Sequence, residues 1–121
     1  MVVGAGGIGS AVLMYIAGFG VGQITIIDDD TVSPSNLHRQ TIHSTTYTNK
    51  LKSLSAKNFI QNLNPHIKII THQSRLNQKN IEELMGKCDY VLDGCDNPET
   101  RYLVNDYCVA NGIVLITGGA I

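Results

Sequence analysis

The chain has 121 residues, 43% of them hydrophobic and 16% charged, which suits one packed domain and excludes a disordered segment. With 9 basic against 10 acidic residues the formal net charge is -1, so no bulk charge draws the chain toward nucleic acid or an anionic membrane, and neither is expected as a partner. No apolar run is long enough to span a bilayer and no signal-peptide layout is present, so a cytoplasmic location is expected.

In chain order, Met1–Val3 is the stub of a first strand that runs into the glycine cluster Gly4-Ala5-Gly6-Gly7-Ile8-Gly9. Ile8, Ala11, Val12, Tyr15, Ile16 and Phe19 then recur at helical spacing and predict one apolar helix face, ended by Gly20 and Gly22. Gln23–Asp28 reads as a second strand rich in β-branched residues. After a polar stretch from Asp29 to about Tyr47, a second helix is expected from near Thr48 to Asn64, with Ala56, Phe59, Ile60 and Leu63 on one face and Pro65 as its stop. Lys68–Thr71 reads as a third strand, Gln78–Met85 as a short helix and Tyr90–Asp93 as a fourth strand. A helix after Asn97-Pro98 follows, opened by a capping residue with proline at the first helical position, and buries Leu103, Val104, Tyr107 and Cys108. Ile113–Thr117 is the fifth strand.

Strand–helix alternation of this kind predicts an α/β, Rossmann-like, doubly wound fold over residues 1–121. The sheet is mainly parallel, carries helices on both faces and has strand order 3-2-1-4-5. A ligand crevice is expected where strands one and four part. The short first strand and the stop directly after the fifth read as a domain cut at both ends.

The G-x-G-x-x-G pattern of Gly4, Gly6 and Gly9, with Gly7 beside it, lies between a strand and a helix. There, glycines let the backbone approach phosphates, and the helix N-terminus offers N–H groups and a partial positive charge. Asp28 ends strand two 19 residues after Gly9, where a carboxylate accepts the hydroxyls of an adenine-linked ribose. A tight turn with no ligand is the plainer reading of the glycines alone. The pair points to an adenine nucleotide and leaves ATP and NAD unseparated.

The loop after strand two separates them better. Roughly twenty polar residues follow Asp28 where an ordinary dinucleotide fold starts its helix within a few, and ordered loops of that length are usually functional. It carries Asp30, Asn36, Arg39 and Gln40, with Lys52 at the start of helix two. A guanidinium and an ammonium converging on one crevice suit a triphosphate. A solvated surface loop is the alternative.

At these residues the chain resembles a known family. Asp28-Asp29-Asp30-Thr31-Val32-Ser33-Pro34-Ser35-Asn36-Leu37-His38-Arg39-Gln40 is similar to the D-x-D-x-V-x-x-S-N-L-x-R-Q signature of the ThiF/MoeB/HesA adenylyltransferases, relatives of ubiquitin-activating enzymes. The glycine loop Gly4–Ser10 and the stretch Asp93–Arg101 match two further elements of the family in the same order. Gly94 and Cys95 depart from it, standing where the family usually has Cys and Thr, and Leu51 stands where bacterial relatives often have Pro.

The resemblance implies that Gly4, Gly6, Gly7, Gly9, Asp28, Asp30, Asn36, Arg39, Gln40, Lys52, Asp96 and Asn97 bind ATP. It implies catalytic roles for Arg39, Lys52 and Asp96, with Asp96 holding Mg²⁺. From the residues themselves, a carboxylate of the Asp93–Asn97 turn can bind a magnesium ion bridging phosphates, or Asn97 or Asp96 simply caps the next helix. The implied reaction is adenylation of the C-terminal glycine of a ubiquitin-like sulfur-carrier protein ending in Gly-Gly, by a homodimer. Structural zinc is implied only for a C-terminal part beyond this chain.

Cys88, Cys95 and Cys108 form no C-x-x-C pair, so neither a disulfide framework nor a zinc site is indicated, and none is assigned as a nucleophile. His38, His43, His66 and His72 lack ligand spacing and read as ordinary loop or surface residues. Two other functions remain open at this point: an NAD-dependent oxidoreductase, which would need a catalytic His or a Tyr-Lys pair, and a non-catalytic scaffold of the same fold.

Overall fold

The computed structural model describes residues 1–119. Its five strands are β1 (Val2–Val3), β2 (Gln23–Ile27), β3 (Lys68–His72), β4 (Tyr90–Asp93) and β5 (Val114–Thr117). All pair in parallel, in the order β3-β2-β1-β4-β5 that the strand–helix alternation predicts. The two-residue β1 is central because Val2 faces Ile26 and Leu92 across its two neighbours, and Val3 faces Ile27 and Asp93.

Side chains alternate across a strand, so Val2 and Val3 enter opposite cores. Val2, Ile24, Ile26 and Ile69 pack with Leu13 and Ala17 of α1 (Gly7–Gly18) and with Ala56 and Ile60 of α2 (Lys52–Leu63). Val3, Ile27 and Val91 pack with Ile81 and Met85 of α3 (Ile81–Met85) and with Val104 and Cys108 of α4 (Pro98–Asn111). Each Val, Leu, Ile or Met side chain among them taken fully out of water contributes about 1.5–3 kcal/mol, which is what clamps helices to both faces.

Three local expectations need correcting. The buried stripe of α1 is Gly9, Ser10, Leu13 and Ala17, whereas Ala11 is exposed, Tyr15 is 64% exposed and Phe19 86%. Ser10 and Ala17 face inward beside Leu13 because α1 lies close to β1 and α2, Val12 and Ile16 are half-buried against the same core, and Tyr15 and Phe19 are turned out. Helix α2 starts at Lys52, not near Thr48, because the preceding segment pairs back on the loop: Val32 N–H donates to Lys50 O at 2.8 Å and Asn49 N–H to Val32 O at 2.9 Å. Its buried face includes Lys52, Ser53 and Ser55 with Ala56 and Ile60, while Leu63 is exposed. In α4, the Asn97 side chain accepts from Thr100 N–H at 2.8 Å, so the predicted cap forms.

Candidate functional site

A cleft of about 930 Å³ opens at the carboxyl ends of the strands, where β1 parts from β4. Gly4, Gly6, Gly7, Asp28, Asp30, Asn36, Arg39, Gln40, Lys52, Asp96 and Asn97 all line it. Elements far apart in sequence therefore meet at one place because four chain segments end on the same edge of the sheet.

Gly9 is the exception among the predicted residues: it is buried behind the loop and takes no part in the lining. An added Cβ there would run into the Gly4 carbonyl. Gly94 is held in the same way, since its Cβ would lie 2.9 Å from Gly9 N. These two glycines bring the β4 turn against the start of α1 and so narrow the cleft floor.

Asp28 stands just past β2 and grips the loop on both sides. Its Oδ2 accepts Ala5 N–H at 2.7 Å and its Oδ1 accepts Asp30 N–H at 2.8 Å. Burial pushes its carboxyl above the usual carboxylate value, partly offset by those two N–H donors and by Lys52. Each carboxylate oxygen keeps a second lone pair, so the group still accepts a hydroxyl from the cleft.

The long β2–α2 connection is folded, not loose. Val32, Ile42 and His43 anchor it in the interior, and two single 3₁₀ turns, Pro34–Asn36 and Thr45–Tyr47, bend it back. The Asn36 carbonyl accepts the N–H of Arg39 at 3.2 Å and of Gln40 at 3.0 Å, which turns both side chains over the glycines. A Cβ on Gly7 would meet the Arg39 guanidinium at 2.8 Å, and one on Gly6 would meet Gln40 Nε2 at 3.6 Å. Lys52 reaches the cleft from beneath, its Nζ donating to Asp30 Oδ2 at 2.8 Å.

The two aspartates after β4 divide their work. Asp93 is buried and does not line the cleft: Oδ1 accepts Cys95 N–H at 3.0 Å, and Oδ2 lies 3.3 Å from Thr117 Oγ1 and 3.7 Å from Arg101 Nε. Asp96 is exposed on the cleft wall. Magnesium is ordinarily held by one or two carboxylates together with substrate phosphates and water, and Asp96 fits that donor set. Among the described residues no group of three or more His, Cys, Asp or Glu forms a self-sufficient metal site. Asn97 lines the cleft while its side-chain oxygen caps α4.

Sequence reasoning missed three residues. His43, read as a loop or surface residue, is buried, with Nε2 2.8 Å from Ala5 O and Nδ1 2.7 Å from Ser55 Oγ. Arg75 lines the cleft from the segment after β3, a position that the carboxyl-edge rule marks but which no motif singles out. Arg101, one turn into α4, donates through Nη2 to the carbonyls of Cys95 and Gly118, and ties the β4 turn to the end of β5. Burial first, then the Asp93 carboxylate, pushes the Cys95 thiol up to about 12, so it is no nucleophile at neutral pH. The Cys88 and Cys108 thiols are also raised, chiefly by burial.

A glycine loop, a carboxylate just past β2 and two cationic side chains thus meet in one cleft on a doubly wound α/β sheet. The chain belongs to the ThiF family, whose profile matches residues 1–121. It is 50% identical over 121 residues to the adenylyltransferase and sulfurtransferase UBA4 of Meyerozyma guilliermondii, and 46% identical to that of Candida albicans. All of this chain is covered in both matches, and it spans 28% of the length of each relative. Among solved structures it is similar to the E. coli tRNA N6-threonylcarbamoyladenosine dehydratase TcdA in complex with ATP, with a TM-score of 0.94 and 30% identity over 98% of this chain and 49% of that one. E. coli MccB is also similar, with a TM-score of 0.91 and 28% identity over 99% of this chain and 36% of that one.

Proposed function

We propose that this chain is the nucleotide-binding part of an ATP-dependent adenylyltransferase that activates the C-terminal glycine of a ubiquitin-like sulfur-carrier protein. The observation that carries the reading is the placing of Arg39 over Gly7 and of Lys52 beside Asp30, in the cleft that Asp28 closes. NAD has one pyrophosphate, already served by the glycine loop, whereas two further cations suit a triphosphate. Relatives named as adenylyltransferases and a similar structure solved with ATP support the same choice.

In the reaction, a carboxylate oxygen of the carrier attacks the α-phosphorus, the α–β bridging oxygen departs with pyrophosphate, and an acyl-adenylate forms. A peptide carboxylate is ionised well below neutral pH, with a pKa near ~3.5, so no general base is required. The work left to the protein is orientation and charge stabilisation. Asp28 holds the ribose, the N–H groups at the start of α1 cradle phosphate, and Arg39 and Lys52 take up the charge that develops. Magnesium, held by Asp96, would neutralise further phosphate charge. Homodimerisation, which rests on the family resemblance, and a cytoplasmic location, which rests on the lack of a spanning run or signal-peptide layout in the sequence, belong to the same proposal. No helix among the described residues is long and apolar enough to cross a membrane.

The test is ATP–pyrophosphate exchange by the purified protein in the presence of a Gly-Gly-terminated ubiquitin-like carrier. Carrier-dependent exchange that Lys52→Ala abolishes is the expected result. Exchange that Lys52→Ala leaves intact would remove the reading.

A further inference from the structure

His43 lies outside the three family elements quoted above, yet it is the one ionisable ring buried against the glycine loop among the described residues. Its two ring nitrogens have different partners. The Ala5 carbonyl, 2.8 Å from Nε2, can only accept, so Nε2 carries the proton. In the neutral ring Nδ1 is then an acceptor, and Ser55 Oγ–H, 2.7 Å away on α2, donates to it.

Ala5 is the hinge of the arrangement. It is fully buried, so its backbone groups reach no water, and both are taken by side chains. The N–H goes to Asp28 Oδ2 at 2.7 Å and the C=O to His43. The two peptide planes that meet at Ala5 are therefore each held by one hydrogen bond, the first by Asp28 and the second by His43. The plane between Ala5 and Gly6 sets where the Gly6 N–H points, and the plane between Gly4 and Ala5 sets how the Asp28 carboxylate is turned. The charged groups that act on His43 are Lys52, at the start of α2, and Asp28, at the end of β2. Burial is the main cause that lowers its basicity, which favours the neutral ring the two hydrogen bonds require.

We propose that His43 is a positioning residue for the nucleotide: as a neutral Nε2–H tautomer set by Ser55, it fixes Ala5 and thereby aims the phosphate loop and the ribose-binding Asp28 together. The proposal rests on the reading of the cleft as an ATP site, and its test separates the two. Glutamine places an amide N–H where histidine has Nε2, asparagine cannot reach Ala5, and phenylalanine keeps the volume alone.

The experiment is calorimetric titration with ATP·Mg²⁺ of the unaltered protein and of His43→Gln, His43→Asn and His43→Phe, each with its unfolding midpoint. Loss of one buried hydrogen bond predicts about a tenfold weaker affinity in His43→Asn and His43→Phe, and recovery to within about threefold in His43→Gln. Discrimination between ATP and 2′-deoxy-ATP should fall in step with affinity, because Asp28 shares the hinge. A general loss of stability would lower all three variants alike and would not single out the ribose hydroxyl.

Equal ATP affinity in all four proteins overturns the proposal, as does equal loss in His43→Gln and His43→Phe. Should the Asn and Phe variants fail to fold, ¹⁵N-imidazole spectra of the unaltered protein decide. A protonated Nε2 with an accepting Nδ1 supports the proposal, and an Nδ1–H tautomer or an imidazolium at neutral pH overturns it. If the unaltered protein binds no ATP, the adenylation reading itself falls, and the proposal with it.

Discussion

Lys52 Nζ lies 2.8 Å from Asp30 Oδ2, in a pair whose lysine side chain is 7% exposed and whose aspartate is 64% exposed. The hydrogen bond from Lys52 is the main cause that holds the Asp30 carboxyl below its usual value. The ammonium is fixed at the cleft wall by its buried stem, and its partner is the member facing water. An arriving phosphate therefore competes with Asp30 for a cation already in place. A hydrogen bond to a charged group contributes about 1.5–3 kcal/mol, so Lys52→Ala should weaken ATP binding by about 10- to 100-fold. Asp30→Asn should cost less than about tenfold, since Lys52 stays buried without it. Calorimetry on both variants checks this, and a Lys52→Ala protein that binds like the unaltered one would contradict it.

Asp28 meets Ala5, Asp30 and the cleft with one carboxylate. Asp28→Ala should weaken ATP by at least about tenfold and erase any preference over 2′-deoxy-ATP. Competition binding with the two nucleotides measures both effects. A retained 2′-hydroxyl preference would place the ribose elsewhere.

The lowered basicity of His43 has a consequence for stability. Its folded pKa lies below the unfolded value of about 6.5, so between the two the unfolded chain binds more protons. Its contribution is intact above about pH 6.5 and is lost as pH falls toward the folded value. His43→Gln keeps the donor and removes the titration, so the difference in urea midpoint between it and the unaltered protein should narrow on going from about pH 7.5 to about pH 5.5. A difference that does not change with pH would show that His43 does not titrate on unfolding.

Cys95, pushed up to about 12, should stay protonated near pH 8 and react with iodoacetamide far more slowly in the folded than in the unfolded protein. Peptide mapping after timed alkylation reads this directly. Rapid labelling of Cys95 in the folded state would contradict the half-buried environment beside Asp93.

Gly94 faces Gly9 N closely enough that a methyl group has no room. Gly94→Ala should destabilise the domain by about 1–3 kcal/mol and weaken ATP binding by displacing the glycine loop. Chemical denaturation measures the first effect. An unchanged midpoint would mean that the β4 turn relaxes freely.

Much of this was legible in the chain itself. The strand order follows from alternation and handedness, and the glycine loop, Asp28 and the Asn97 cap follow from local chemistry at fixed spacing. Only Gly9 among the predicted nucleotide residues falls outside the cleft lining, because its role is to let backbones meet. What periodicity misread was α1, since it weights large apolar residues while a close helix–sheet approach selects Ser10 and Ala17. His43 was hidden for a related reason: it sits in a polar loop, and only the folding back of Val32 on Asn49 and Lys50 carries it inside. Arg75 reaches the cleft by topology, which no local pattern encodes, and Arg101 closes the Asp93–Arg101 stretch without its spacing giving it a role.

The central claim is that the cleft takes ATP with magnesium in preference to NAD⁺. Calorimetric titration of the purified protein with ATP·Mg²⁺ and with NAD⁺, repeated with EDTA and on Asp96→Ala, tests it most directly. The account predicts binding of ATP·Mg²⁺ that weakens at least about tenfold on chelation or in Asp96→Ala, and little or no NAD⁺ binding. Preferential binding of NAD⁺, or ATP binding indifferent to both magnesium and Asp96, would contradict it.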